Sequence, residues 1–465
     1  VSLSLGPDLP EVSRAAVFGL AKSGLATVRA LLERGVHVVA TDSAPAEKLG
    51  ALPAGEDLDL VLGGHPPSLL SNVDLCVVSP GVPMSIPVLD VARASGIPVI
   101  AEVELASRLL PGLVVGITGT NGKSTTTALC AALLRDAGRD AVACGNFGTP
   151  WIHFAVRGTS PSGELPPPSR VWVVELSSFQ IEGFRRLAPD VAVHLNLTPD
   201  HLDRYRSVDD YGAAKARIFE SQGEAQVAVL NADDPLLARI RTRARRFEFS
   251  RIRALPLGAW VKDGVFLADV TGKGPRAYAR REDLQLPGAH NVENALAALA
   301  ATIPFGVTPE TAVRTFRTFK GLPHRTVLVR TRSGVAYYND SKGTNIDATL
   351  KSLEGFPDGS VFLILGGKDK GDDFRRLLPL VSKKARKVLA IGKAGPAVMS
   401  ALADAAPSEE SGTIARAIET AAAEGRPGDV VLLSPACASY DQFRNYEHRG
   451  EVFEALVNAL PEAGG

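Results

Sequence analysis

Apolar residues in this chain fall in short uninterrupted runs, each followed by a polar turn and then by a stretch whose apolar positions recur at helical spacing. That alternation predicts strands and helices wound into parallel sheets. Residues 15–18, 36–40, 75–78 and 98–100 read as strands, and 25–32 as the helix after the first. A second set opens with the run Leu113-Val-Val-Gly-Ile-Thr118 and continues at 171–175 and 191–196. The helix predicted from Lys123 onward carries Ala128, Leu129, Ala132 and Leu133 on one face. Residues 211–219 read as a helix, 259–268 as a hairpin turning on Asp263-Gly264, and 288–297 as the opening of an alanine-rich helix. A third set has strands at 336–340, 361–365, 387–391 and 430–433. The expected architecture is α/β in three domains. These are an N-terminal Rossmann-like parallel sheet over 1–101, a central P-loop α/β domain over 102–322 and a C-terminal Rossmann-like α/β domain over 323–465.

Length agrees with that division, since 465 residues exceed one core and domains average about 150 residues. Lys+Arg and Asp+Glu balance at 51 each, so no overall field draws the protein to nucleic acid or to an anionic membrane. The arginines clustered between 239 and 253 read as a solvated face. Cys76, Cys130, Cys144 and Cys437 are scattered, with no C-x-x-C pair, which argues against a disulfide framework or a zinc site. No apolar stretch approaches the ~18 residues that span a bilayer, and the expectation is a cytoplasmic protein.

The candidate chemistry centres on Gly119-Thr-Asn-Gly-Lys-Ser-Thr125, between a predicted strand and a predicted helix. Turn glycines let backbone N–H groups converge on phosphate oxygens, while the helix behind them offers its unpaired N–H groups and positive dipole end. Lys123 is placed for the β/γ-phosphates and Ser124 for Mg²⁺. The spacing is one residue off the G-x-x-x-x-G-K-[ST] pattern, because Ile117 stands where the first glycine belongs and Gly116 lies one place earlier.

Other polar residues cluster at predicted strand ends, where ligands bind in open α/β sheets. Glu175 there either holds Mg²⁺ or caps a helix, and His201 is either a ligand or a structural residue. Lys215, on a predicted helix, is by default a solvated charge. Asn291 and Asn294 either cap their helix or bond a base or ribose. Gly19-Leu-Ala-Lys-Ser-Gly24 is a worn dinucleotide fingerprint, with Asp42 about 20 residues on. Its residues leave nucleotide binding and a plain structural turn both open, and Ala21 in place of the second glycine disfavours NAD. Residues 158–169 read as a flexible surface insertion. The polar turns 340–345, 366–371 and 434–443 point to one site facing the phosphate loop across a cleft.

Seven stretches in this order resemble the Mur ligases over essentially the whole chain. They are Thr-Gly-Thr-Asn-Gly-Lys-Ser-Thr, Glu-Leu-Ser-Ser-Phe-Gln, Asp-His-Leu-Asp-Arg-Tyr, His-Asn-Val-Glu-Asn, Gly-Leu-Pro-His-Arg, Asn-Asp-Ser-Lys-Gly-Thr-Asn and Ser-Pro-Ala-Cys-Ala-Ser. The Asp-Asn-Pro-Arg stretch of the sister enzyme that adds a diamino acid is absent, and the last motif favours the glutamate-adding branch. The resemblance implies ATP-dependent joining of D-glutamate to UDP-N-acetylmuramoyl-L-alanine through an acyl phosphate, in cytoplasmic peptidoglycan synthesis, by a monomer.

It also implies roles for particular residues. Gly119, Thr120, Asn121, Gly122, Lys123, Ser124, Thr125, Asn291, Asn294, His324, Arg325, Asp340, Lys342 and Thr344 would bind ATP. Ser124, Glu175, His201 and a carbamylated Lys215 would hold two Mg²⁺ ions, with Lys123, His201 and Lys215 taking part in catalysis. Lys22, Ser23, Asp42, Ser43, Ser79, Asn146, Ser177 and His201 would hold the UDP-substrate, and Lys370, Ser439 and Tyr446 the D-glutamate. Closing the third domain over the second would assemble the site and exclude water from the acyl phosphate.

Overall fold

The computed structural model describes residues 2–49, 52–158, 166–201, 204–369, 371 and 373–461. Three sheets account for its strands. The first joins β1 (Arg14–Phe18), β2 (His37–Asp42), β3 (Leu58–Leu62), β4 (Leu75–Val78) and β5 (Val99–Ala101) in the order 3-2-1-4-5, all parallel. Both faces of this sheet are covered, which is why its central strands are apolar throughout rather than alternating. Ala15, Val17, Leu75 and Val77 face one apolar cluster, while Ala16, Phe18, Cys76 and Val78 face another.

The second sheet holds β6 (Leu113–Thr118), β7 (Ala141–Gly145), β8 (Val171–Glu175), β9 (Val191–His194), β10 (Val227–Asn231), β11 (Arg245–Ser250), β12 (Gly258–Lys262), β13 (Val265–Asp269) and β14 (Arg276–Arg280). Their order is 14-13-12-11-10-9-6-8-7, with the β12–β13 and β13–β14 pairs antiparallel and the remaining pairs parallel. The Asp263-Gly264 turn joins β12 to β13 as expected. These two sheets lie in one compact unit, 1–281 with 293–315, and a single apolar cluster runs from Val17 and Leu31 to Trp172 and Leu230.

The second compact unit, 282–292 with 316–465, carries the third sheet. Its strands are β15 (Val327–Arg332), β16 (Val335–Asn339), β17 (Val361–Gly366), β18 (Ala385–Ile391), β19 (Ser408–Gly412) and β20 (Val430–Leu433), in the order 15-16-20-17-18-19. Only the β15–β16 pair is antiparallel, so the sheet is mixed at that edge.

The arginines between 239 and 253 are exposed, apart from half-buried Arg246, as a solvated face requires, but the stretch also contains a strand that the sequence reading did not give. Residues 245–250 form β11, with Phe247 and Phe249 buried in the core and Arg245 exposed. Residues 159–165, the heart of the expected insertion, lie outside the described residues, as do Lys370, Leu202 and Asp203.

Candidate active site

In the second sheet the chain leaves β6 with β8 on one side and β9 on the other, so β6 is a topological switch point. Crevices open at the carboxyl ends of such strands. Here those ends carry Thr118 with the phosphate loop, Glu175 and His194.

The loop runs from Gly119 to Gly122 into the helix Lys123–Asp136. Gly122 is left-handed at φ +83°, and a Cβ there would stand 2.3 Å from Asn294 Oδ1. Gly119, at φ +151°, leaves no room for a side chain against Leu195. The off-pattern Gly116 lies within β6, its Cα facing Leu176, Pro189 and Ile218, so it serves packing and Gly119 serves the turn. Asn196 clamps the loop from β9's side: its Oδ1 accepts from Asn121 N at 2.8 Å and its Nδ2 donates to Asn121 O at 3.1 Å. Asn294 is no helix cap, because its Oδ1 accepts from Thr126 Oγ1 at 3.2 Å and ties its helix to the loop's helix.

Two lysines meet at the loop. Lys123 Nζ donates to Gly119 O and Thr120 O, both at 2.9 Å. Lys215, on the helix Val208–Ala216, is 1% exposed and donates to the same Gly119 oxygen at 3.0 Å. Its ring neighbour is Tyr211, 4.6 Å below the ammonium. Burial, reinforced by the charge of Lys123, lowers the Lys215 pKa to about 6. The default reading of Lys215 as a solvated charge is thus corrected: helix packing takes it out of water. Glu175 is also buried; Oε1 accepts from Asn146 Nδ2 at 3.1 Å, and Oε2 has no partner among the described residues. Capping of the next helix falls instead to Ser177, in a capping box with Gln180. His201 is exposed at φ +52°, with its ring against Phe179 and Tyr211.

At the switch point of the first sheet, Asp42 binds the worn fingerprint loop itself, accepting from Leu20 N at 2.7 Å and Ala44 N at 2.8 Å. Ser79 Oγ donates to Gly19 O at 2.9 Å, and a Cβ on Gly24 would meet that carbonyl oxygen at 1.7 Å. Lys22 and Ser23 open the helix Lys22–Leu32, and Ser43 follows β2.

In the second unit Asp340 is the organising group. Its buried carboxylate accepts from Ser352 Oγ at 2.6 Å, Ser434 Oγ at 2.7 Å and Thr326 N at 3.1 Å, and burial raises its pKa. It thereby fixes the loop bearing His324 and Arg325, where Lys342 N donates to His324 O at 3.0 Å. Tyr446, at the start of the helix Tyr446–Ala459, has His324 at 6.3 Å and the Lys342 ammonium at 5.4 Å from its ring. Asn291 Nδ2 donates to Pro287 O at 2.7 Å. Thr344 N donates to Lys342 O, and Ser439, 2% exposed, lies in the 434–443 turn.

Family models match in chain order: a MurD-like N-terminal domain over 13–101, the Mur ligase middle domain over 117–302 and the Mur ligase glutamate ligase domain over 324–437. The chain is 44% identical over 450 residues to the UDP-N-acetylmuramoylalanine--D-glutamate ligase of Acidobacterium capsulatum, covering 95% of each. The chain belongs to the Mur ligase family. An enzyme of the same name from Anaeromyxobacter dehalogenans is 45% identical over 461 residues, covering 96% of this Mur ligase and 97% of that protein. Among solved structures, the fold matches the MurF ligase of Thermotoga maritima in complex with ADP at TM-score 0.59 and 17% identity, over 96% of each chain. It matches a pseudomurein peptide ligase type C from Methanothermus fervidus at TM-score 0.59 and 18% identity, over 97% of this chain and 100% of that one.

Three residues of this Mur ligase's site went unread in the sequence. Asn196 was legible only as the end of a strand. Arg449, 1% exposed, bonds Ser341 Oγ, Ser341 O and Cys437 O, and so pins the 340–345 turn to the 434–443 turn. His194 is fully buried beside the lysines, and burial and their charge lower its pKa to about 3. A divalent cation fits the residues present: the unpartnered Glu175 Oε2 is a hard oxygen donor, and Ser124 is buried at the helix start. No group of three or more His, Cys, Asp or Glu forms a ready cluster among the described residues.

Proposed function

We propose that this Mur ligase joins D-glutamate to UDP-N-acetylmuramoyl-L-alanine, with ATP converted to ADP and phosphate. The observation that carries the reading is the convergence of Lys123 and Lys215 on one carbonyl of a phosphate loop at a helix N-terminus. A carboxylate cannot acylate an amine until one of its oxygens becomes a leaving group. Moving the γ-phosphoryl group onto the alanyl carboxylate makes that leaving group, and the D-glutamate amine then displaces phosphate. The first step brings two anions together, so it needs charge neutralisation more than covalent help.

Lys123 and the loop N–H groups of Gly119, Thr120, Asn121, Gly122, Ser124 and Thr125 hold the phosphates in this reading. Bound Mg²⁺ supplies further positive charge at the phosphate oxygens. Ser124 and Glu175 would hold one ion, and His201 with a carbamylated Lys215 a second. An amine near pKa 6 is largely neutral at pH 7, the form that combines with CO₂, which supports that assignment.

Asn291, Asn294, His324, Arg325, Asp340, Lys342 and Thr344 would serve the rest of ATP. Lys22, Ser23, Asp42, Ser43, Ser79, Asn146, Ser177 and His201 would serve the UDP-substrate, with residues 1–101 as its domain, 102–322 as the ATP domain and 323–465 as the amino-acid domain. Lys370, Ser439 and Tyr446 would receive D-glutamate. The reading carries with it a cytoplasmic monomer; among the described residues no helix is long and apolar enough to cross a membrane. Mass spectrometry of the UDP product after incubation with ATP and D-glutamate tests it. Gain of one glutamyl residue is expected, and an unchanged UDP-substrate with ATP consumed would refute the ligase reading.

A further inference from the structure

The segment from His201 to Arg217 carries both residues given above to a second Mg²⁺, His201 and Lys215. One residue outside the segment holds it at both ends. Glu182 follows the short helix Ser178–Ile181 as its C-cap, and its carboxylate reaches the front of the segment. There Oε1 accepts from the Tyr205 hydroxyl and Oε2 from Arg204 Nη2 at 2.7 Å. At the far end the Glu182 main-chain oxygen accepts from Arg217 Nη1 at 2.6 Å, just beyond Lys215.

The front anchor bears directly on His201. Arg204 N and Tyr205 N both donate to His201 O at 3.0 Å, so the two residues whose side chains Glu182 grips also close the turn that His201 opens. That turn holds His201 at φ +52°, a left-handed conformation that a residue other than glycine keeps only where its surroundings impose it. Ring contacts add to the constraint. The Arg204 guanidinium lies 3.9 Å over Phe179, whose ring meets that of His201 at 4.9 Å. Tyr205 packs at 5.2 Å on Tyr211, the ring beside the Lys215 ammonium.

Helix capping does not account for Glu182, because a carboxylate at a helix C-terminus meets the negative end of the peptide dipoles. Nor is this a solvated ion pair. The Arg204 and Glu182 side chains are only 18% and 20% exposed, and each carboxylate oxygen has its own donor. Charge-assisted bonds shielded in this way fix geometry.

We propose that Glu182 is a positioning residue for the ligation, acting through His201 and Lys215 by bracketing the segment that carries them. The assignment rests on the metal-holding roles proposed above for those two residues.

Glu182→Gln keeps the main-chain anchor and the size of the side chain but removes the charge that Arg204 meets, and Tyr205→Phe removes one hydroxyl. Steady-state ligation and Mn²⁺ binding in the presence of ATP, the latter by electron paramagnetic resonance, are measured on parent and variants well below their melting temperatures. Groups that orient metal-holding residues typically contribute about tenfold or more to metal affinity or activity. Glu182→Gln is therefore expected to lower kcat about tenfold with the KM for ATP within about twofold, and to loosen the weakest Mn²⁺ site about tenfold. Tyr205→Phe should shift both in the same direction by less, and it decides the matter should circular dichroism show Glu182→Gln misfolded. A residue that only stabilised the fold would lower the melting temperature and leave the metal dependence of the folded enzyme unchanged. Mn²⁺ affinity and kcat in the folded variants equal to those of the parent would overturn the proposal. The parent alone tests the underlying ligase reading: ATP consumed without a glutamylated product refutes that reading, while the Mn²⁺ comparison between parent and variants still decides the role of Glu182.

Discussion

Glu102 provides a stability test that follows directly from burial. It opens the helix Glu102–Leu109 immediately after β5 and is 2% exposed. Gln180 Nε2 donates to its Oε1 at 2.8 Å, while Oε2 has no partner among the described residues. Burial outweighs the Gln180 bond and the helix-start amides and raises its pKa from 4.5 to about 7. Because the native state holds this proton more tightly, the favourable contribution is complete below pH 4.5 and is lost as pH rises through 7. At 1.36 kcal/mol for each tenfold change in proton affinity, the ionised native state carries a penalty of about 3 kcal/mol. Glu102→Gln keeps a carbonyl for Gln180 and removes the charge. Urea unfolding should therefore show the variant equal to the parent at pH 4.5 and more stable by up to about 3 kcal/mol at pH 8. A difference between the two that stays constant across that range would refute the burial argument.

Gly122→Ala places a methyl 2.3 Å from Asn294 Oδ1 in a left-handed position, so the Thr126 contact breaks; ATP affinity, read by titration, should fall at least tenfold with the secondary structure intact. Lys123→Ala should abolish turnover while leaving the melting temperature within a few degrees, because its ammonium is part-buried on the loop carbonyls Gly119 O and Thr120 O rather than in the apolar core; near-normal turnover would remove it from the phosphate site. Lys215→Ala should lose activity and regain part of it with short-chain carboxylic acids that replace the carbamate. Failure of that rescue would leave Lys215 a charge-balancing residue instead.

The sequence was most legible where one residue type has one physical use. Gly122 and Lys123 announced a phosphate turn because a left-handed glycine before a helical lysine has few other purposes, and the turn stands where the pattern put it. The apparent misspacing dissolved once Gly116 proved to be a strand glycine under Leu176 and Pro189. Environment was harder to read than position. Nothing in the helix Val208–Ala216 reveals that Lys215 is buried, since that depends on how Tyr211 and β6 pack around it. Asn294 was weighed as a cap or a nucleotide ligand, and its observed bond to Thr126 spans 168 residues of sequence. The edge strand β3 and the internal strand β11 were missed because partial exposure mixes charge into their apolar pattern. Arg449 went unread because its three acceptors, on Ser341 and Cys437, are brought together only by the fold.

Phosphate release from ATP in the presence of UDP-N-acetylmuramoyl-L-alanine, compared across acceptors, tests the central claim most directly. D-glutamate is expected to support steady release, with L-glutamate and a diamino acid giving no more than the background without acceptor. Equal release with a diamino acid, or with no acceptor, would contradict the D-glutamate assignment and leave only an ATP-binding middle domain of the family.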